Sequence, residues 1–150
     1  MSLVPTSVSV LSCVEGSFIY GCTISSLVSV NVQDENPEII FVLKKQSLVG
    51  DMIKTNNFFT INILSENQDS LAKKYSKDRL PESTLDSGWI INNKFAELSN
   101  CRAVLNCELL EIYDTYAADI YVSTVIKYSG DQNRLPLIYD SRRYGKYQSL

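Results

Sequence analysis

The sequence predicts a mostly β protein: a closed or nearly closed antiparallel barrel interrupted by two short helices, with a β-sandwich as the alternative. Three observations carry this. Six or more short apolar runs recur along the 150 residues, separated by Gly, Pro, Asn and Asp turn signals. Only two stretches place apolar residues at helical spacing. An open sheet of so many strands would leave edges in need of cover, and closure removes them.

The elements follow in order. Val4, Thr6, Val8, Val10 and Ser12 share one parity, with mostly small or polar residues between them, so one face of the first strand is expected to be buried. Glu15-Gly16-Ser17 is a hairpin turn signal, and Phe18 to Thr23 is the returning strand. Leu27 to Val32 alternates again, Asp34-Glu35-Asn36-Pro37 breaks the pattern, and Glu38 to Leu43 is a fourth strand. Ser47 is an N-cap for a helix with Leu48, Val49, Met52 and Ile53 at helical spacing and Asp51 in its first turns. Asn56-Asn57 ends that helix, and Phe58 to Leu64 is the fifth strand. Ser65, followed by Asn67 and Gln68, opens a second helix that ends near Tyr75. Lys77 to Asn93, with Pro81 and Gly88, is expected to be a long loop of the functional or mobile kind. Cys101 to Tyr113 and Ala118 to Tyr128 are long antiparallel neighbours, Ser129 to Asn133 is a loop, and Pro136 to Tyr139 is a short edge strand. A basic, aromatic tail through Tyr147 follows.

The totals narrow the function classes. A chain of this length fits one domain, 1–150, and buries about 68–70% of its unfolded surface without a disulfide or metal staple. Fourteen Lys and Arg against seventeen Asp and Glu give a net charge of −3. That balance offers no general attraction to nucleic acid or to an anionic membrane. Apolar runs such as Ile39 to Leu43 are far shorter than a membrane span. The start Met1-Ser2-Leu3-Val4-Pro5 has no signal-peptide pattern, so a cytoplasmic location is expected. In that compartment Cys13, Cys22, Cys101 and Cys107 are expected to be reduced, small buried hydrophobes. There is no histidine, which excludes Ser-His-Asp and Cys-His nucleophiles and argues against a catalytic zinc; no metal is expected.

Two segments suit an anion. Between Gly21 and Asn31, five hydroxyl or amide side chains (Thr23, Ser25, Ser26, Ser29, Asn31) fall within nine residues. A Ser25-Ser26 break between strands exposes N–H groups and hydroxyls together, as phosphate oxygens require. By composition alone a polar strand face with a serine turn explains the segment better. Lys44-Lys45-Gln46-Ser47 sets two cations and a cap before a helix start, where free N–H groups favour an anion. Alone, a solvated strand end explains it as well, and parity does not decide which lysine points inward.

Order changes these weights. Val4-Pro5-Thr6-Ser7-Val8-Ser9-Val10-Leu11 and Gly21-x-Thr23-x-Ser25-Ser26-x-x-Ser29-Val30-Asn31 are followed by Pro37, Ser47, Phe58-x-x-x-Asn62-x-Leu64, Gln68 and Leu71. Ala103-x-Leu105-x-Cys107-Glu108, Pro136-Leu137-x-Tyr139 and Arg143-Tyr144-Gly145 come after them. In this order the pieces resemble the flavin-reductase-like, FMN-binding split-barrel family over nearly the whole chain. The resemblance implies a six-stranded antiparallel Greek-key split β-barrel that forms a homodimer and holds FMN, with FAD as the alternative, near the subunit interface. It implies Thr23, Ser25 and Ser26 at the ribityl chain and phosphate. Ser29, Val30 and Asn31 would then lie along the isoalloxazine, and Lys45 and Ser47 would pair with phosphate. It also implies NAD(P)H as co-substrate and a monooxygenase or electron-transfer partner for the reduced flavin; the competing readings are an FMN-binding electron-transfer protein and a module without cofactor.

The chain departs from the family where Gly-Asp-His is common, carrying Tyr116-Ala117-Ala118 instead. That removes a charge and an imidazole from the expected nicotinamide side, so catalytic residues stay unassigned. The family's helix before the first strand is also missing, which suggests a shortened start. Trp89 is a candidate cover for a flavin or nicotinamide ring, or else a satellite hydrophobic contact. Arg142-Arg143-Tyr144 suits a nucleotide phosphate or a dimer-packed tail. The tyrosines of the second half fit half-buried strands and a subunit interface.

Overall fold

Strands buried on both faces organise this molecule. The structure, a computed structural model, describes residues 3–33, 35–77, 80–85 and 88–150. Expectations that fall on Met1, Ser2, Asp34, Asp78, Arg79, Asp86 and Ser87 lie outside the described residues.

The chain runs β1 (Thr6–Ser7), β2 (Ser9–Glu15), β3 (Phe18–Ile24), β4 (Val28–Asn31), β5 (Glu38–Lys44), α1 (Leu48–Asn56), β6 (Phe58–Ile63) and α2 (Asp69–Tyr75). It continues with β7 (Glu82–Ser83), β8 (Ile90–Asn92), β9 (Phe95–Glu97), β10 (Ala103–Asp114), β11 (Ala118–Gly130), β12 (Leu137–Asp140) and β13 (Arg143–Lys146). The caps explain where α1 starts and stops. Ser47 Oγ accepts from the Gly50 amide, and Asn57 takes the left-handed conformation at φ 64°, returning its N–H to the Ile53 carbonyl. The second helix starts later than expected. Gln68 Oε1 reaches back to the Ser65 amide at 3.0 Å, while Ser65 Oγ donates to the Asn100 carbonyl, so the turn from Ser65 to Gln68 precedes the helix.

Eight strands form one antiparallel sheet in the order β4-β5-β11-β10-β6-β2-β3-β7, and β1-β12-β13 forms a smaller one. The large sheet curls around Leu11, Phe41, Phe59, Ile61, Tyr121 and their neighbours. A second core of Val8, Val10, Leu64, Tyr75, Trp89 and Leu137 fills its other side. Register shifts at Asn106/Cys107 and Leu109/Glu111 let the long β10–β11 hairpin bend around the first core.

Several expectations change. The expected first strand divides: Val4 is exposed and Thr6–Ser7 joins the smaller sheet, whereas Val8, Ser9, Val10, Leu11, Ser12 and Cys13 are all buried, because β2 lies between the two cores. The Pro136–Tyr139 run is not at an edge; β12 lies between β1 and β13. The tail folds back as β13 through a tight turn with Ser141 and Arg142 at φ 49° and 64°, the backbone twist that two-residue hairpins favour. Part of the long Lys77–Asn93 stretch is strand: β7 pairs with β3, and β8 pairs with β9. No ladder closes the sheet among the described residues, although β3 and β5, far apart in pairing order, approach each other over the first core.

A buried polar network ties the strands. Asn62 donates through Nδ2 to the Val10 carbonyl at 3.1 Å and to Ser12 Oγ at 3.2 Å, and its Oδ1 accepts the Leu98 amide at 2.8 Å. Ser12 Oγ donates on to the Ala96 carbonyl. Thr60 Oγ1 donates to Asn106 Oδ1, whose Nδ2 donates to Glu97.

Candidate functional site

The gap between β3 and β5 is where the fold leaves room. Past Ile40, the outer edge of β5 has no strand partner, because β4 pairs only with its first half. Ser26 stands in for the missing strand: its Oγ accepts the Val42 amide at 3.0 Å and donates to the Val42 carbonyl at 3.2 Å. Gln46, at φ 65°, turns the chain from β5 into α1 and brings Ser47 to the same place.

A cavity of about 470 Å³ lies there. Cys22, Thr23, Ile24, Ser25 and Ser26 form one wall, the run from Val42 to Ser47 forms the facing one, and Tyr75, Ser76, Lys77 and Ala118 complete it. A recess of about 30 Å³ adjoins it beside Tyr20, Gly21 and the start of α1. Thr23, Ser25, Ser26, Lys45 and Ser47, all expected from sequence, therefore share one cavity. Ser29, Val30 and Asn31 do not line it; they lie on β4, and Val30 is exposed.

Several of these groups are engaged within the protein. Thr23 Oγ1 donates to the Ala72 carbonyl at 2.8 Å, joining β3 to α2. Lys45 Nζ bonds Asp119 Oδ1 at 3.0 Å and meets Asp114, and Lys54 takes the other Asp119 oxygen at 2.8 Å. The hydrogen bonds from Lys54 and then Lys45 hold the Asp119 carboxyl below the usual carboxylate range. A carboxyl depressed in the folded state contributes stability that is complete above its unfolded pKa and is lost as pH falls through the folded value. Thermal stability should therefore drop on acidification below about pH 4. In Asp119→Asn the neutral-pH stability should be lower and the acid-dependent part smaller; an unchanged acid limb in a pH series of melting curves would contradict this.

Sequence reasoning missed Tyr75, Ser76 and Lys77, and it marked the Lys44–Ser47 segment without deciding between Lys44 and Lys45. Lys77 opens the long loop marked for function, and Lys44 adjoins Lys45, but the contribution of α2 depends on packing that no local pattern announces. Tyr75 is set by close contacts: a Cβ at Gly21 would lie 3.0 Å from its ring. Its hydroxyl donates to Glu82 Oε2 at 2.9 Å and accepts from Trp89 Nε1 at 3.1 Å. Burial pushes the Glu82 carboxyl up, but hydrogen bonds from Lys74, Tyr75 and Trp89 outweigh it and leave it below the usual range. Trp89 is buried in the second core behind Tyr75 and does not line the cavity.

Cys22 differs from the other cysteines. None of the four forms a disulfide among the described residues, but Cys13, Cys101 and Cys107 are buried while Cys22 is half-buried at the cavity wall. Burial pushes the Cys13 and Cys101 thiols up to about 11 and Cys107 higher still. Among the described residues, no helix is long and apolar enough to cross a membrane.

With this fold and cavity, the chain belongs to the flavin reductase like domain family, whose model matches residues 1–148. The NADPH-flavin oxidoreductase of Streptomyces viridifaciens is 27% identical over 141 residues, 89% of this chain and 71% of that protein. The reductase component of the FADH(2)-dependent resorcinol hydroxylase of Rhizobium sp. is 22% identical over 127 residues, 83% of this chain and 70% of that protein. The fold is that of the NADH:FAD oxidoreductase of Streptomyces globisporus C-1027, with TM-score 0.88, 19% identity and coverage of 99% and 89% of the two chains. It is also that of the flavin reductase component of a bacterial two-component tryptophan halogenase, with TM-score 0.88, 21% identity and coverage of 99% and 94%.

Proposed function

We propose that this chain is a flavin reductase that holds FMN, with FAD as the alternative, in the cavity between β3 and β5 and passes it hydride from NAD(P)H. The observation that carries the reading is the cavity wall itself. Thr23, Ser25 and Ser26 on one wall face Lys45 and Ser47 on the other, and Ile24, Val42, Leu43 and Ala118 supply apolar surface. Such a wall fits a ligand with a polar, phosphorylated chain and a flat apolar ring. Ser29, Val30 and Asn31 are on the strand that leaves the cavity at Ser26, where they would flank the ring end. Bound there, the flavin supplies the hydride-accepting ring, and the chain supplies binding and orientation. Reduced flavin would then pass to a partner monooxygenase; the Rhizobium protein is the reductase component of a resorcinol hydroxylase, and one structural relative is the flavin reductase component of a tryptophan halogenase.

The finer architecture belongs to the same proposal. β2, β3, β5, β6, β10 and β11 all contribute side chains to the first core, which is how six staves of a Greek-key split barrel would pack. The outer face of β4, β5, β11 and β10 carries two apolar cross-strand rows, Val28–Ile40–Val122 and Val42–Ile120–Tyr113. Val28, Val42 and Tyr113 on these rows are exposed, and Val42 also lines the cavity. A second copy docked on this face makes a homodimer with the cavity near its interface, and sedimentation of the purified chain should give twice the monomer mass.

A second reading, an FMN-binding electron-transfer protein reduced by another protein, is favoured by Ala118, which puts a methyl group at the cavity wall where the resemblance places histidine. Anaerobic mixing with FMN and NADH or NADPH separates the two. The reductase reading expects the visible absorbance of oxidised flavin to fall much faster than without protein. Bound flavin that stays oxidised would replace it with the electron-transfer reading, and a protein that quenches no flavin fluorescence would end both.

A further inference from the structure

The cavity is unusual in its charge. Lys44, Lys45 and Lys77 line it, and no Asp or Glu does among the described residues, in a chain whose net charge is −3. The three lysines are not equivalent. Lys45 is matched by Asp119 and Asp114, and Lys54 reinforces that cluster from α1. The other described ion pairs involve Lys73, Lys74, Arg134 and Lys146. Lys44 and Lys77 therefore have no carboxylate partner among the described residues.

Their positions differ as well. Lys44 ends β5, two residues beyond Val42, whose amide points across the gap to Ser26. Strand periodicity aims the Lys44 amide the same way. Lys77 follows α2 and borders both the cavity and the recess beside Gly21 and Ser47. Two cations without a carboxylate partner among the described residues thus border one concave surface on separate elements, with Ser25, Ser47 and Ser76 also on its wall.

We propose that Lys44 and Lys77, rather than Lys45, are the specificity-determining pair that makes this cavity select phosphorylated flavins over riboflavin, and that Lys45 is a positioning residue. The assignment rests on the flavin reading of the cavity. A dianionic phosphate gains charge-assisted hydrogen bonds from cations that have no carboxylate partner among the described residues. At Lys45 the same phosphate would have to displace Asp114 and Asp119, so little is gained. Lys45 instead ties the end of β5 to the tip of the β10–β11 hairpin, and that tip supplies Ala118 to the cavity.

Titration of FMN and riboflavin by fluorescence quenching, on the wild-type chain and on Lys44→Gln, Lys77→Gln and Lys45→Gln, tests this. Lys44→Gln and Lys77→Gln should each weaken FMN by about tenfold or more while leaving riboflavin within about twofold. Wild-type affinity for FMN, but not for riboflavin, should fall with added salt. Lys45→Gln should weaken both flavins to the same degree. Equal losses of FMN and riboflavin in the Lys44 and Lys77 variants would overturn the assignment, as would FMN-selective loss confined to Lys45→Gln. In both cases the flavin reading stands, because the wild type still binds. A wild-type chain that binds neither flavin overturns that reading and this assignment with it.

Discussion

Replacing Asn62 with alanine is expected to lower the stability of the fold by about 3 to 5 kcal/mol, read from urea or thermal unfolding. Asn62 is fully buried and uses its whole carboxamide: Nδ2 serves the Val10 carbonyl and Ser12 Oγ, and Oδ1 serves the Leu98 amide. Alanine leaves the Leu98 amide and the Val10 carbonyl without these partners in a region closed to water, and each orphaned group costs about 1–3 kcal/mol. The volume of the lost carboxamide adds a cavity between β6, β2 and the segment after β9. A loss below about 1 kcal/mol would mean that water reaches the site or that the backbone finds other partners.

Phe41→Ala is the second large effect, also about 3–5 kcal/mol. The ring is fully buried in the first core, stacked on Tyr121 at 5.0 Å and edge-on to Phe59 at 5.3 Å. Such aromatic contacts add about 0.5–1.5 kcal/mol to the area buried. Phe41 adjoins Val42 at the cavity wall, so its loss should also weaken flavin binding. Phe41→Leu, which keeps most of the volume, should recover a large part of both. If Phe41→Leu fell as far as Phe41→Ala, the loss would lie in ring geometry rather than in volume.

Much of this fold could be read from local chemistry. The Glu15-Gly16-Ser17 hairpin, the Ser47 cap and the Asn57 stop stand where the sequence signals put them, because each depends on a few neighbouring residues. What failed depended on neighbours distant in the chain. The parity of Val4 to Ser12 suggested one buried face, but β2 is enclosed by two cores, and a strand closed on both sides shows no alternation. Trp89 could not be placed by its loop; its indole N–H found the hydroxyl of Tyr75 and so settled in the second core. At the site, Thr23, Ser25 and Ser26 were visible as hydroxyls at a strand junction. Lys44 against Lys45 could not be decided, because only the carboxylates of Asp114 and Asp119, carried by the far end of another hairpin, distinguish the two. Tyr75, Ser76 and Lys77 reach the cavity because α2 packs against β3, an arrangement without a local signature.

Ser26 gives the cavity a mechanical property. A ladder of strand bonds opens in series, each bond held by its neighbours, whereas here one hydroxyl latches the N–H and C=O of a single residue, Val42, across the gap. The latch can release and reform without unzipping β4, β5 or β11. Opening there would leave the ladders of β5 with β4 and β11 in place. Hydrogen exchange would register this: the Val42 amide should exchange sooner than those of Phe41 and Leu43 on either side, and should slow when the cavity is filled.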